Sequence, residues 1–304
     1  MFVWILVALV AAGVLCVAYG ALVERRAYRV VRYRLDILPA SGPEELTVLH
    51  LSDLHFTRRD AKKKRFLASL PAADVTVVTG DFLAEPQGVE TAVEAVRGVR
   101  GRIASWFVLG SNDYFVARPV NPILYFTAKR ARRLRRAQRG PWRDMAAMLE
   151  AEGWEDVSNL HRDVDLDGLP VELMGLDDAH IYRHDLRVVP RRAPERFGVA
   201  VMHSPDSAPE TAACGYDLIV AGHTHGGQVA LPWGGPIVTN SVMPRRLASG
   251  LIHLGGAWMS LSPGLGTSKF APFRFLVPPE VTYLDLRRAP AQARGPTASS
   301  NTRS

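Results

Sequence analysis

The sequence predicts an α/β fold of layered strands and helices behind a single N-terminal membrane helix. Three observations carry this expectation. Residues 2–23 form an uncharged, apolar run of about 22 residues, long enough to cross a bilayer. From residue 46 onward, short β-type runs alternate with segments of helical periodicity. Several of the strand-like runs end in a glycine, a carboxylate or a histidine, where open α/β sheets carry their ligands.

Composition narrows the chemistry. The chain has 304 residues, 47% hydrophobic and 22% charged, as an ordinary globular protein does. Its two cysteines, Cys16 and Cys214, exclude a disulfide framework and a cysteine-rich zinc site. A metal would have to be held by His, Asp, Asn or Glu. The formal charge is +7, yet Lys129–Arg143 alone holds eight basic residues and no acidic one, so the remainder is near neutral. A single basic block favours contact with an anionic membrane surface or a phospholipid-like substrate over a broad nucleic-acid face.

The elements follow in order. Residues 2–23 read as an uncleaved anchor, because no basic n-region precedes them and no small residue stands directly before Cys16. Arg25, Arg26, Arg29, Arg32 and Arg34 cluster behind the run, which by the positive-inside rule puts the rest of the chain on the cytoplasmic side. The chain is thus expected to be single-pass in the cell membrane. After a turn-rich link at 39–44, a strand over 46–52 ends in Asp53-Leu54-His55. Lys62–Arg65 read as solvated surface before a helix through Phe66–Leu70. A strand over 74–79 ends in Gly80-Asp81, a helix spans 89–99, and a strand over 104–109 ends in Gly110-Ser111-Asn112-Asp113-Tyr114.

Residues 118–143 interrupt this pattern. Apolar and aromatic residues at 122–126 run directly into the basic block, the composition of a segment lying in a membrane interface. A helix resumes over 142–153, followed by short strands over 157–160, 164–166 and 170–175. A strand over 197–202 ends in His203-Ser204-Pro205-Asp206, and a helix through Ala208–Thr211 leads to the strand Leu218–Ala221. That strand ends in Gly222-His223-Thr224-His225-Gly226-Gly227-Gln228. Further strands are expected over 228–232, 255–262 and 281–286, with a glycine loop at 264–268. The tail from 288 to 304 has almost nothing to bury and is expected to be disordered.

The strand ends offer only oxygen and imidazole nitrogen, a donor set suited to Mn, Fe, Zn or similar divalent ions. His50, His161, His180, His184 and His253 lie outside these strand-end blocks and are not expected to be ligands. The ordered set Asp-x-His, Gly-Asp, His-Ser-Pro and Gly-His-Thr-His resembles the calcineurin-like metallophosphoesterases. It looks most like their membrane-anchored branch with a Gly-His-Thr-His-Gly-Gly-Gln block, over residues 46–286. The resemblance implies a four-layer αββα sandwich of two mixed sheets, a catalytic domain over 45–287, and two divalent metal ions as cofactors. It implies that Asp53, His55 and His225 hold one ion, that Asp81 bridges, and that His203 and His223 hold the other. A hydroxide between the ions would attack phosphorus in line.

One block departs from the family. Where its members carry Gly-Asn-His-Asp, this chain has Gly110-Ser111-Asn112-Asp113. Either Ser111 or Asn112 takes the ligand place; Asn112 is preferred because an amide oxygen is the better ligand. Asp113 then stands where the catalytic histidine would be, and acts as an acid only if its pKa is raised. A phosphate leaving group, as in a pyrophosphate, would need no such acid. The expected activity is hydrolysis of a phosphomonoester, phosphodiester or pyrophosphate bond in a phosphorylated lipid or lipid-linked intermediate. Soluble phosphodiesters or nucleotides are the alternative substrates, and a non-catalytic scaffold is the alternative of another class.

Overall fold

The computed structural model describes residues 1–119 and 137–290. Most of the basic insertion at 118–143, and the tail beyond residue 290, lie outside these residues. The N-terminal run is one helix, α1 (Phe2–Leu22), with only Gly20 buried; an 18-residue stretch within 2–26 has a mean hydropathy of 2.6. By length and composition it can cross a membrane.

Two six-stranded mixed sheets follow. The first has the order β1 (Arg29–Leu38), β14 (Glu280–Arg288), β2 (Glu45–Leu51), β3 (Val75–Thr79), β4 (Ala104–Val108) and β5 (Glu155–Asp156). The second has the order β12 (Gly250–Leu254), β13 (Ala257–Leu261), β9 (Leu218–Ala221), β8 (Phe197–Met202), β7 (Leu169–Leu176) and β6 (Leu160–Leu166). β2–β5 are parallel, as are β13, β9, β8 and β7.

The central strands are apolar on both faces, and their period-2 alternation feeds three cores, one between the sheets and one outside each. Val75, Val77, Val199, Val201, Leu218 and Val220 point between the sheets. Val78 and Phe107 pack outward under α2 (Ala61–Ala68), α3 (Val89–Arg97) and the helix Trp142–Ala151. Ala200, Met202, Ile219 and Ala221 pack outward near the helix Ala208–Ala213. Helices outside two facing sheets make the four-layer αββα sandwich.

Three stretches differ from expectation. The arginines at 29, 32 and 34 belong to the edge strand β1, whose Leu35 and Leu38 are buried while the arginines face out. Strand β12 was not expected; its register is set by antiparallel pairing with β13. The expected strand at 228–232 is reduced to β10 (Ala230–Leu231), which forms a small hairpin with β11 (Gly235–Pro236).

The C-terminal end of α1 is docked on the sandwich. Gly20 O accepts a hydrogen bond from Arg274 N at 3.2 Å, and Glu24 Oε2 accepts one from Leu276 N at 3.0 Å. Gly20 permits this approach, since a Cβ there would collide with the Arg274 carbonyl.

Candidate metal centre

Five parallel strands from the two sheets end at one edge of the sandwich, and their loops meet there. Backbone pairing continues past the strand ends and draws the loops together. Asp53 N bonds to Gly80 O at 3.0 Å, His55 N to Asp81 O at 2.9 Å, and Gly222 N to His203 O at 2.9 Å. Asp53, His55, Asp81, His223 and His225 all have positive φ, between 43° and 72°. Non-glycine residues rarely adopt this conformation; surrounding contacts hold it, and it concentrates where function demands a particular side-chain direction. Gly80, also left-handed, lets the loops close: a Cβ there would lie 2.7 Å from His203 Nδ1 and from Gly110 N.

Asp53, His55, Asp81 and His225 each present one donor atom, all within 4.8 Å of one another. The His55 and His225 Nε2 atoms stand 3.2 Å apart, and His225 Nε2 lies 3.5 Å from Asp53 Oδ1. The two oxygens of Asp81 face opposite ways, Oδ2 at 3.5 Å from His55 Nε2 and Oδ1 at 3.7 Å from His203 Nε2. On the far side, His223 Nδ1 lies 3.2 Å from His203 Nε2. Asn112 sits against Asp81, its backbone N 2.8 Å from Oδ1 and its amide nitrogen 2.5 Å from Oδ2.

This donor set fits two cations sharing Asp81. Asp53 Oδ2 accepts from Ser52 Oγ at 2.5 Å and from His223 N at 2.9 Å, which turns Oδ1 into the cluster, where it is buried with no hydrogen-bond partner. A buried carboxylate oxygen without a partner is costly unless a cation faces it. His203 Nδ1 bonds to Thr79 O at 2.7 Å, so Nδ1 carries the proton and Nε2 faces Asp81 with its lone pair when the ring is neutral. Burial holds the His55 imidazole down to about 4 and that of His225 to about 3. Both are therefore neutral, ligand-ready bases at pH 7. Burial also lowers His203, but Asp81, Asp178 and Asp53 outweigh it and raise the ring to about 10. That carboxylate field is one a cation would take over.

A model of the calcineurin-like phosphoesterases matches residues 46–227, more than half of the chain. The chain belongs to the calcineurin-like phosphoesterase family. It is a metal-dependent hydrolase, and members of this family use two divalent metal ions. It is 28% identical to the metallophosphoesterase YkuE of Bacillus subtilis over 243 residues, 78% of this chain and 76% of that one. It is 26% identical to the UDP-2,3-diacylglucosamine pyrophosphatase LpxG of Chlamydia trachomatis over 279 residues, 79% of this chain and 83% of that one. A bovine transmembrane protein with a metallophosphoesterase domain is 25% identical over 263 residues, 81% of this chain and 54% of that one.

The structure brings all seven candidate ligands to one place, and Asp113 lies close enough to feel the charges of Asp81 and His203. Its carboxylate is fully buried and accepts from Gly110 N at 2.9 Å and Leu83 N at 3.1 Å. Burial, then the Asp81 charge, raises it to about 8, as an acid would require. Each oxygen also accepts one backbone N–H, so Asp113 holds the 110–114 turn as well. Four residues lie near the centre where the sequence reading did not expect them. Lys63, expected in solvent, is buried, with Nζ 2.6 Å from Leu54 O and 3.1 Å from His55 O. Arg274 is buried with its guanidinium on the carbonyls of Pro263, Gly264, Gly266 and Val277. Asp178 is buried beside the second cluster, and the His180 ring lies 4.1 Å from that of His223. Lys63 and Arg274 have backbone carbonyls as partners, which leave no mark in a sequence. His50 is a satisfied core residue, bonded to Ser260 and Thr79.

Proposed function

We propose that the protein is anchored by α1 with its catalytic domain on the cytoplasmic side, and hydrolyses a phosphoester or pyrophosphate bond in a phosphorylated lipid or lipid-linked intermediate. One observation carries this reading. A cavity of about 280 Å³ runs from His55 to Arg25 and Arg26, which directly follow the apolar helix. Arg59, Lys63 and Lys269 also line it. A cationic cavity with one end at the metal centre and the other at the membrane exit suits an anionic headgroup whose apolar tail stays in the bilayer. The chlamydial relative, a UDP-2,3-diacylglucosamine pyrophosphatase by name, agrees with this class of substrate.

In this reading Asp53, His55 and His225 hold the first ion, His203, His223 and Asn112 the second, and Asp81 both. The ions supply the Lewis acidity that activates water and offsets phosphoryl charge. The protein's own groups do the rest. Arg25, Arg26 and Arg59 draw the anionic substrate in and orient it. Asp113 fixes the turn that carries Asn112. The Asn112 amide, which donates to Asp81 here, presents its oxygen to a cation after a half-turn of the amide plane. A leaving group that departs as a phosphate, as from a pyrophosphate bond, needs no acid from the turn that carries Asp113.

The test is turnover by the full chain in vesicles, with lipid pyrophosphates, lipid phosphomonoesters and soluble aryl phosphodiesters side by side. Arg25→Ala with Arg26→Ala is expected to raise KM for the lipid substrates and leave the soluble ones unchanged. Turnover confined to the soluble substrates, or equal loss on both classes, would reject the lipid reading.

A further inference from the structure

The loop that clasps the end of α1 also carries a row of unpartnered apolar side chains. Phe270 and Leu276, in that loop, are 46% and 48% exposed. The hairpin β10–β11 is fastened to the same loop: Ala230 N bonds to Phe275 O at 2.9 Å, and Phe275 N to Gln228 O at 3.1 Å. Its tip is Leu231-Pro232-Trp233-Gly234, with Leu231 54% and Trp233 98% exposed. A hydrogen-bonded path therefore runs from Gly20 of the apolar helix through Arg274–Leu276 to the hairpin bearing Trp233. An indole wholly in water, beside further exposed apolar groups, costs free energy unless something covers it.

We infer that the Trp233 hairpin and the Phe270–Leu276 loop form a second membrane contact, inserted into the interface of the leaflet from which α1 emerges. The inference rests on α1 being a membrane span. Continuity with α1 identifies the occupant as lipid, because a helix crossing the bilayer brings the surface clasping its end up to the headgroups. The residue types agree. Tryptophan favours the membrane–water interface, and Arg25, Arg26 and Lys269 beside the loop suit anionic headgroups. α1 by itself would leave the catalytic domain free to tilt. A second contact fixes its orientation, so that the mouth of the cationic cavity stays on the bilayer surface. The hairpin follows Gly222–Gln228 directly, so the membrane contact adjoins the block that supplies His223 and His225.

The test uses the full chain with Cys16→Ser and Cys214→Ser, reconstituted in phosphatidylglycerol–phosphatidylcholine vesicles. An environment-sensitive fluorophore is attached at Trp233→Cys or, as a control, at Asp167→Cys. Asp167 lies in the β6–β7 turn, at the opposite end of the sheet from the metal centre. Blue-shifted emission and quenching by spin-labelled lipid are expected at 233 and not at 167. Equal, water-like behaviour at both positions in protein that resists carbonate extraction would overturn this inference alone. Release by carbonate would instead overturn the anchor and this inference with it. In a second arm, Trp233→Asp is expected to lower turnover of vesicle-embedded substrate roughly tenfold, equivalent to about 1.4 kcal/mol, with soluble aryl phosphodiester turnover unchanged. Unchanged turnover in both would also count against the contact.

Discussion

Lys63→Met separates global stability from metal affinity at one buried side chain. The ammonium of Lys63 donates to Leu54 O and His55 O, lies 3.3 Å from Asp60 Oδ2, and sits 4.7 Å above the Phe56 ring. Methionine keeps the unbranched apolar stem and loses the donors. Leaving two buried carbonyls without partners costs about 1–3 kcal/mol each. Against this, burial lowers the lysine from 10.5 to about 8, with Asp60 opposing the shift. A fall of that size corresponds to about 3 kcal/mol spent on keeping the charge at neutral pH. The two effects are close in size, so the midpoint of denaturation at pH 7 is expected to move little.

The pH dependence carries the signature. Between pH 8 and 10.5 the unfolded chain binds the Lys63 proton and the folded one does not. Stability of the parent protein therefore rises with pH across that window, by about 3 kcal/mol from this group. Lys63→Met lacks the increment. Its affinity for the first ion is expected to fall roughly tenfold or more, because the carbonyls it releases belong to the loop that carries His55. Urea titrations in detergent at pH 7, 8, 9.5 and 10.5, with metal content by elemental analysis, read both quantities. Parallel stability–pH curves for the two proteins would refute the buried-charge reasoning, and unchanged metal content would refute the role in holding the loop.

Two further predictions concern the metal centre. Asn112→Ala should lower occupancy of the second ion while Ser111→Ala does not, since only Asn112 is placed against Asp81; equal metal content in both variants would sink that assignment. His203 at about 10 is protonated in the metal-free protein at pH 7.5, and a ligand must be neutral. Metal uptake should therefore release close to one proton, and affinity should rise with pH until about 10. Calorimetry in two buffers of different ionisation enthalpy measures the released proton, and a null result would mean the ring is already neutral.

Much of the site is legible in the sequence because its ligands sit directly after strands. The apolar runs Val75–Thr79, Phe197–Met202 and Leu218–Ala221 mark buried strands, and Gly80-Asp81, His203 and Gly222–His225 mark where they end. The αββα layering follows from the order of those runs together with the family resemblance, and the uncharged first 23 residues announce α1. Local pattern decides such features, since strand period and turn chemistry act over a few residues. The rest depends on partners distant in sequence. β1 is a strand because β14, some 250 residues later, offers it an edge. Lys63 and Arg274 are buried because loops folded over them supply backbone carbonyls, and the Asp113 carboxylate is fastened by two backbone amides. The cavity joining His55 to Arg25 and Arg26 exists only because Gly20 and Glu24 dock on Arg274–Leu276. The sequence by itself determined which groups can bind metal and that a helix long and apolar enough to cross a membrane precedes them. Only the tertiary structure decided that the helix ends beside the metal centre, because that placement is fixed by contacts between segments some 250 residues apart.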